Sequence, residues 1–184
     1  LVDDRGAVWV GHFQAGLDYS LYQNGLFRTY AYPPLFNSAN LSIRSFVNRG
    51  QEKVIGSRDG LFYINEATGV VKSFVKPVLT SDLILTISFY QGEYYIGTYG
   101  GGMMVLNPET LSLKYFSQSD TELFQKGHIF CVKPDTKGNL WIGTSQGLFN
   151  YNGQTKQIKH FTSANSQLPE GNVYEVSFDS VSYT

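Results

Sequence analysis

The stretch NLWIGTSQGL, residues 139–148, decides the fold, because the chain carries a version of it four times. Its counterparts are AVWVGHFQAGL (7–17), EKVIGSRDGL (52–61) and EYYIGTYGGGM (93–103). In each, an apolar run ends on a glycine, and these glycines, Gly11, Gly56, Gly97 and Gly143, are 45, 41 and 46 residues apart. A second glycine follows four or five residues later, at Gly16, Gly60, Gly102 and Gly147, with Leu or Met behind it. Fourteen residues past that second glycine stands an aromatic: Tyr30, Phe74, Phe116 and Phe161. A period in the forties with strand-like content predicts a β-propeller or similar array, in which a small sheet cannot bury its own faces and stacks on its neighbours.

Composition agrees with that reading. Of 184 residues, 42% are hydrophobic and 16% charged, enough apolar material for a packed core. Thirteen Tyr, thirteen Phe and nineteen Gly beside two Met favour pleated strands and tight turns, so almost no helix is expected. A net charge of −1 and the absence of a Lys/Arg run argue against a nucleic-acid partner. No apolar stretch is long enough to span a bilayer as a helix, and no charged start followed by an apolar run marks a secretion signal. The single cysteine, Cys131, lies in the alternating stretch HIFCV and reads as a small buried hydrophobe.

The fourth repeat gives the blade. His128 to Val132 is a first strand, DTKGN (135–139) a turn, Leu140 to Thr144 a second strand, Leu148 to Tyr151 a third, and Gln157 to Phe161 a fourth after a turn at Asn152-Gly153. Asn65 and Asn107 recur at the place of Asn152, with Leu21 as the exception. The second strand is expected to be sandwiched between sheets, since it holds the least polar pairs: Trp9-Val10, Val54-Ile55, Tyr95-Ile96 and Trp141-Ile142. The glycine after it would let neighbouring blades approach, which makes Gly11→Val costly. Longer polar segments, AYPPLFNSAN, VKPVLTSD, SQSDTELFQKG and TSANSQLPEG, suit crossovers between blades.

The fold expected is therefore all-β, one propeller region over 1–184 with repeats at about 1–40, 41–82, 83–127 and 128–171. Residues 172–184 would be the inner strand of a following or first blade, since NVYEVSFD matches HIFCVKPD at a separation of 44. Asp3 and Gly6 stand where Asp135 and Gly138 stand 132 residues later, so the chain is expected to open inside a repeat, as a fragment. A sector of a larger ring is the expected arrangement, and a closed four-bladed ring the alternative. Exposed end blades of a sector would drive dimers or higher assemblies.

The strings DTKGNLWIGTSQGLFNYN (135–152) and DDRGAVWVGHFQAGL (3–17) resemble the two-component regulator propeller repeat, and LPEGNVYEVSFD (168–179) is similar to that family's inter-blade stretch. The match covers nearly the whole chain and weakens in repeats two and three. There Asn48 and Phe89 stand for the family's Asp, and Glu52-Lys53-Val54 and Tyr94-Tyr95 for its Leu-Trp core. The resemblance implies the extracytoplasmic, periplasmic part of an inner-membrane sensor of the hybrid two-component type. A membrane helix, a histidine kinase core and often a receiver and a DNA-binding output would lie elsewhere in the parent chain. It also implies oligosaccharide as the ligand class, with no cofactor and no catalysis by this part.

Topology puts the turn after the second strand and the crossover on one rim. The residues there nominate a binding set: His12, Phe13, Gln14, Arg58, Asp59, Tyr99 and Gln146, with Ser57, Thr98, Thr144 and Ser145 between them. Aromatic faces stack on the apolar face of a pyranose while Arg, Asp, Gln and His bond its hydroxyls. His12 stands out because the other repeats hold Ser or Thr at its position. Tyr32, Phe36 and Asn37 of the first crossover are further candidates. The three histidines, His12, His128 and His160, show no metal-ligand spacing, and no HExxH, CxxC or GxSxG occurs, so no metal or catalytic site is nominated. Asp135 is expected to cap backbone N–H groups in its turn. A protein-interaction propeller is the second reading. The third, a streptogramin-lyase-like enzyme, would need His12 and Asp59 on one rim.

Overall fold

The computed structural model describes residues 2, 6–12, 16–20, 27–29, 42–117 and 122–179. Tyr30, Leu21, Tyr32, Phe36 and Asn37 lie outside them. The described residues form fifteen strands and one helical turn. The first sheet holds β1 (Val8–His12), β2 (Gly16–Ser20) and β3 (Phe27–Thr29). The second holds β4 (Ile43–Arg49), β5 (Glu52–Ser57), β6 (Leu61–Asn65) and β7 (Val70–Phe74). The third holds β8 (Ile84–Tyr90), β9 (Glu93–Thr98), β10 (Met103–Leu106) and β11 (Leu113–Tyr115). After the helix α1 (Leu123–Lys126), the fourth holds β12 (Ile129–Pro134), β13 (Asn139–Thr144), β14 (Gly147–Asn152) and β15 (Ile158–Phe161). Strand order follows chain order in every sheet, and the pairings are antiparallel, so each repeat is one all-β blade.

The inner strands carry a feature that periodicity does not reveal. In β12 the pairing passes from Ile129↔Thr144 to Cys131↔Gly143, leaving Phe130 as an extra residue. The same shift leaves Arg44 unpaired in β4, between Ile43↔Ser57 and Ser45↔Gly56. Such a bulge turns one side chain off the ladder and bends the strand.

The chain divides into two compact units, Leu1–Ile84 and Leu85–Thr184. In the first, the first and second sheets share a core of Ala7, Trp9, Ile43, Ile55, Phe62 and Ile64. Trp9 lies stacked on Tyr19 at 5.1 Å and tilted against Phe46 at 5.7 Å. In the second, Tyr95, Met103 and Val105 of the third sheet meet Val132, Ile142, Phe149 and Tyr151 of the fourth. Edge-on contacts such as Phe116–Tyr151 at 5.1 Å and Phe124–Phe149 at 5.1 Å fix this face, and each such pair adds about 1 kcal/mol beyond area burial.

The glycine after the second strand has the steric role expected of it. A Cβ on Gly97 would lie 2.6 Å from Thr86 Cγ2 and 2.7 Å from Ile129 Cγ2, so the first strand of the next blade passes where a side chain would be. The surroundings of Gly11 are outside the described residues. The second glycine joins blade to crossover: the Gly60 N–H donates to Asp82 O and the Gly102 N–H to Gly127 O, both at 2.9 Å.

Four details depart from the sequence expectation. The crossover at SQSDTELFQKG contains α1, whose Leu123 and Phe124 are buried in the core of the second unit. A helical turn sets these adjacent side chains about 100° apart, where a strand would point them to opposite faces, so both can enter one core. The second strand is not uniformly apolar: Lys53 is 3% exposed, its ammonium bonded to Glu66 Oε2 at 2.5 Å and Gly50 O at 3.2 Å. Trp141, unlike Trp9, is only half-buried. Residues 172–179 have no β-ladder and run against the fourth sheet, with the Val173 N–H donating to Thr144 O at 3.0 Å and Glu175 paired to Lys133 at 3.0 Å.

Candidate functional site

The turn after each second strand is locked by its first side chain. Thr98 Oγ1 donates to Gly102 O at 2.9 Å and accepts from the Gly101 N–H at 3.1 Å. Thr144 Oγ1 does the same with Gly147 O and the Gln146 N–H, at 2.9 and 3.0 Å. Ser57 repeats it with Gly60 O and the Asp59 N–H, at 3.1 and 2.9 Å. All three hydroxyl residues are fully buried. They belong to the scaffold, which corrects their expected place among the binding residues of the rim: the turn needs a partner for a backbone N–H out of reach of water.

What the lock presents outward is the residue or two behind it. Arg58 and Asp59 are exposed on the β5–β6 turn of the first unit, the Arg58 N–H bonded to Ser42 O at 3.1 Å. Tyr99 is exposed on the β9–β10 turn and Gln146 on the β13–β14 turn of the second unit. His12 ends β1, its backbone opposite Gly16, with its side chain outside the described residues. Phe13 and Gln14 lie outside them altogether. Gln146, Ser145, Thr162, Ser163 and Glu170 line a cleft of about 360 Å³ between the turn and the following crossover, so turn and crossover do share a rim. His160 lies flat on Phe149 at 3.9 Å with its Nε2 2.6 Å from Gln146 O, a cross-strand pair on the blade surface.

Tyr99 is joined by residues that the motif reading passed over. Its ring lies on the His128 imidazole at 4.0 Å, with 25° between planes. Phe130, turned out by the bulge, has its ring centre 6.2 Å from that of His128, and Tyr174 follows at 4.6 Å from Phe130. The two end members are the most open: Tyr99 is 50% and Tyr174 64% exposed. His128 Nδ1 is buried and has no hydrogen-bond partner. Asn172 Nδ2 donates to Tyr174 Oη at 2.8 Å. One signal for Tyr174 was in the sequence, since the 44-residue match of NVYEVSFD to HIFCVKPD makes it the counterpart of Phe130. The bulge that turns Phe130 outward has no motif.

The opposite rim is structural. Asp135 Oδ1 accepts from the Lys137 and Asn139 N–H groups at 2.9 and 2.8 Å, and Oδ2 from Asn139 Nδ2 and Trp141 Nε1, both at 2.9 Å. Partial burial by itself would raise its pKa, but the Asn139 side chain and the remaining donors outweigh it and hold the carboxyl below the usual Asp value. The expected cap is thus also an anchor for the indole. Asn65, Asn107 and Asn152 each accept two backbone N–H groups, as at Glu109 and Thr110, both 2.9 Å from Asn107 Oδ1. Cys131 is 1% exposed, and burial pushes its thiol pKa up, as expected of an inert core residue. Among the described residues no group of three or more His, Cys, Asp or Glu is arranged to hold a metal ion, and no helix is long and apolar enough to cross a membrane.

Residues 124–146 match the family described as two component regulator propeller. Among solved structures, the chain is similar to the extracellular domain assigned to the hybrid two component system BT3049 of B. thetaiotaomicron, with 28% identity, 86% of this chain and 22% of that one covered, and a TM-score of 0.64. The corresponding domain of BT4673 from the same organism gives 16% identity, 87% and 20% coverage and a TM-score of 0.65. PorZ of Porphyromonas gingivalis, a surface component of the type-IX secretion system, gives 16%, 94% and 28%, and 0.65, a likeness of fold alone. The chain spans about a fifth of the length of these two extracellular domains. No curated protein sequence matches it.

Proposed function

From the two-component regulator propeller repeat that this chain carries, we propose that it is part of the extracytoplasmic ligand-sensing region of a sensor kinase of the hybrid two-component type. The observation that carries the reading is the 28% identity over 86% of the chain to an extracellular domain of that class. The ligand in this reading is an oligosaccharide, held without turnover on the rim where Tyr99 and Gln146 stand. Its support is chemical: the exposed Tyr99 ring on one turn, and the amide and hydroxyl groups that line the cleft at Gln146 on the next, suit the mixed apolar and hydroxylated surface of a sugar. The kinase core, and the membrane helix joining it to this region, belong to the parent chain. Binding would signal only if the ligand has different affinities for two arrangements of the sensor, since equal affinity shifts no equilibrium.

Titration calorimetry of the complete extracytoplasmic region against a panel of oligosaccharides tests this. Saturable heat with the glycan recovered intact is the expected result. Cleaved product would assign an enzyme instead, and silence across the panel would favour a protein-interaction propeller.

A further inference from the structure

The sensory reading makes this chain one part of a longer extracytoplasmic region, and the inference here rests on that reading. Two sheet faces occupy the same register. In the third sheet Tyr95 pairs with Val105 and Gly97 with Met103, and the Phe116 N–H donates to Met103 O at 3.0 Å. The fourth sheet covers that face, so Tyr95, Met103, Val105 and Phe116 are each at most 6% exposed. In the fourth sheet the same places are held by Trp141 paired with Asn150, and by Gly143 with Leu148 and Phe161. Side chains alternate along a strand, so these point away from the third sheet, against which Ile142, Phe149 and Tyr151 are packed. Trp141 is stacked on Phe161 at 5.9 Å, yet both rings, like Leu148, are only half-buried.

One segment already lies on this face. Val173 stands to Gly143 as Ile129 stands to Gly97: a Cβ on Gly143 would be 2.5 Å from Val173 O and 3.1 Å from Val173 Cγ1, and one on Gly97 2.7 Å from Ile129 Cγ2. The 44-residue match of NVYEVSFD to HIFCVKPD equates the same two residues. Glu175 adds its ion pair to Lys133. Residues 173–178 are thus seated as the first strand of a following sheet, and among the described residues no second strand is laddered onto them. A cleft of about 620 Å³ is left, lined by Trp141, the β12–β13 turn and Phe178, which is 50% exposed.

One polar atom sets the chemistry of what covers this face. Asn150 Nδ2 is buried without a hydrogen-bond partner, in the row where the third sheet has Val105. A buried donor of this kind costs free energy until an acceptor reaches it. The chain spans only 22% of the BT3049 extracellular domain, so a parent of that size has chain to supply the remaining strands.

We propose that this face of the fourth sheet is the docking surface for a further four-stranded sheet of the parent chain, begun by residues 173–178. Its second and third strands bring apolar side chains onto Trp141, Leu148 and Phe161, as the fourth sheet does at Tyr95 and Met103, and one acceptor to Asn150 Nδ2. The acceptor makes the joint specific, because a sheet with only apolar side chains there leaves the amide unsatisfied.

Photo-cross-linking in the complete extracytoplasmic region tests this. The photoreactive p-benzoylphenylalanine is introduced at Phe161 or at Lys159, the exposed cross-strand neighbour of Asn150, in a mixture of unlabelled and nitrogen-isotope-labelled protein. The attached peptide should come from the same copy and from the segment that follows residues 173–178, and the amides of 173–178 should exchange as slowly as those of β12. Asn150→Asp sets acceptor against acceptor and should speed that exchange about tenfold or more, whereas Asn150→Val, which copies the third sheet, should speed it only several-fold, with β14 unchanged in both. Equal exchange at 173–178 in the wild type and both variants would overturn the acceptor. A cross-link to the other copy would make the face an interface between molecules, and the lack of any cross-linked peptide would make it a free surface; either overturns the docking proposal. Neither result touches the sensory reading, which the oligosaccharide calorimetry decides by itself.

Discussion

At the residue scale, the glycines and hydroxyls of the repeated motif turn out to be positions of steric and hydrogen-bonding necessity. Gly143 has Val173 O at 2.5 Å and Cys131 Sγ at 2.6 Å from where a Cβ would lie. Gly143→Val should therefore lower stability by about 2–3 kcal/mol, read as a reduced urea midpoint with an unchanged slope; an unaltered midpoint would contradict the close approach. Thr98→Val conserves shape and removes the bond that holds the Gly101 N–H. A loss of about 1–2 kcal/mol is expected, with faster amide exchange confined to the β9–β10 turn. The sequence offered Ser57, Thr98 and Thr144 as polar residues on a binding rim, and the structure makes them the hidden half of that turn. A hydroxyl one residue from a ligand-facing side chain looks the same in sequence whether it points in or out, because only the three-dimensional turn determines which backbone groups lie beyond the reach of water.

At the element scale, the DTKGN turn and the inner-strand bulge differ in how far sequence could reach them. Asp135 gathers four donors, one of them the Trp141 indole. Its folded-state pKa is lowered, so its contribution is present above the ordinary Asp value and disappears as pH falls through the lower, folded one. The stability difference between the wild type and Asp135→Asn should accordingly shrink on acidification from about pH 5 to about pH 2, where carboxylates protonate. A difference independent of pH would show that shape, not charge, holds the turn. Asx turns at Asn65, Asn107 and Asn152 were legible for the same local reason, since the side chain caps its own neighbours. The bulge at Phe130 was not legible, because register is a property of two strands and neither sequence alone records where they slip.

At the scale of the whole molecule, the described residues of the four repeats form one three-stranded and three four-stranded sheets, and each compact unit packs its consecutive sheets around its own core. A ligand that binds only the folded state must raise its stability. An oligosaccharide at a hundredfold excess over its Kd should add about 2.7 kcal/mol, visible as an upward shift in Tm that grows with concentration. A bound glycan that leaves Tm unchanged would mean equal affinity for the unfolded chain and would count against a site built from separate strands. What the sequence by itself determined was the all-β class, the strand order, the turn chemistry and the need for small residues at blade contacts, because these follow from short-range sterics and from a period repeated four times. Which side chains face outward, the helical turn that closes the second core, and the meeting of Tyr99, His128, Phe130 and Tyr174 were decided only by tertiary structure. Those features depend on strand register and on sheets that are neighbours in space, distances along the chain that no local pattern encodes.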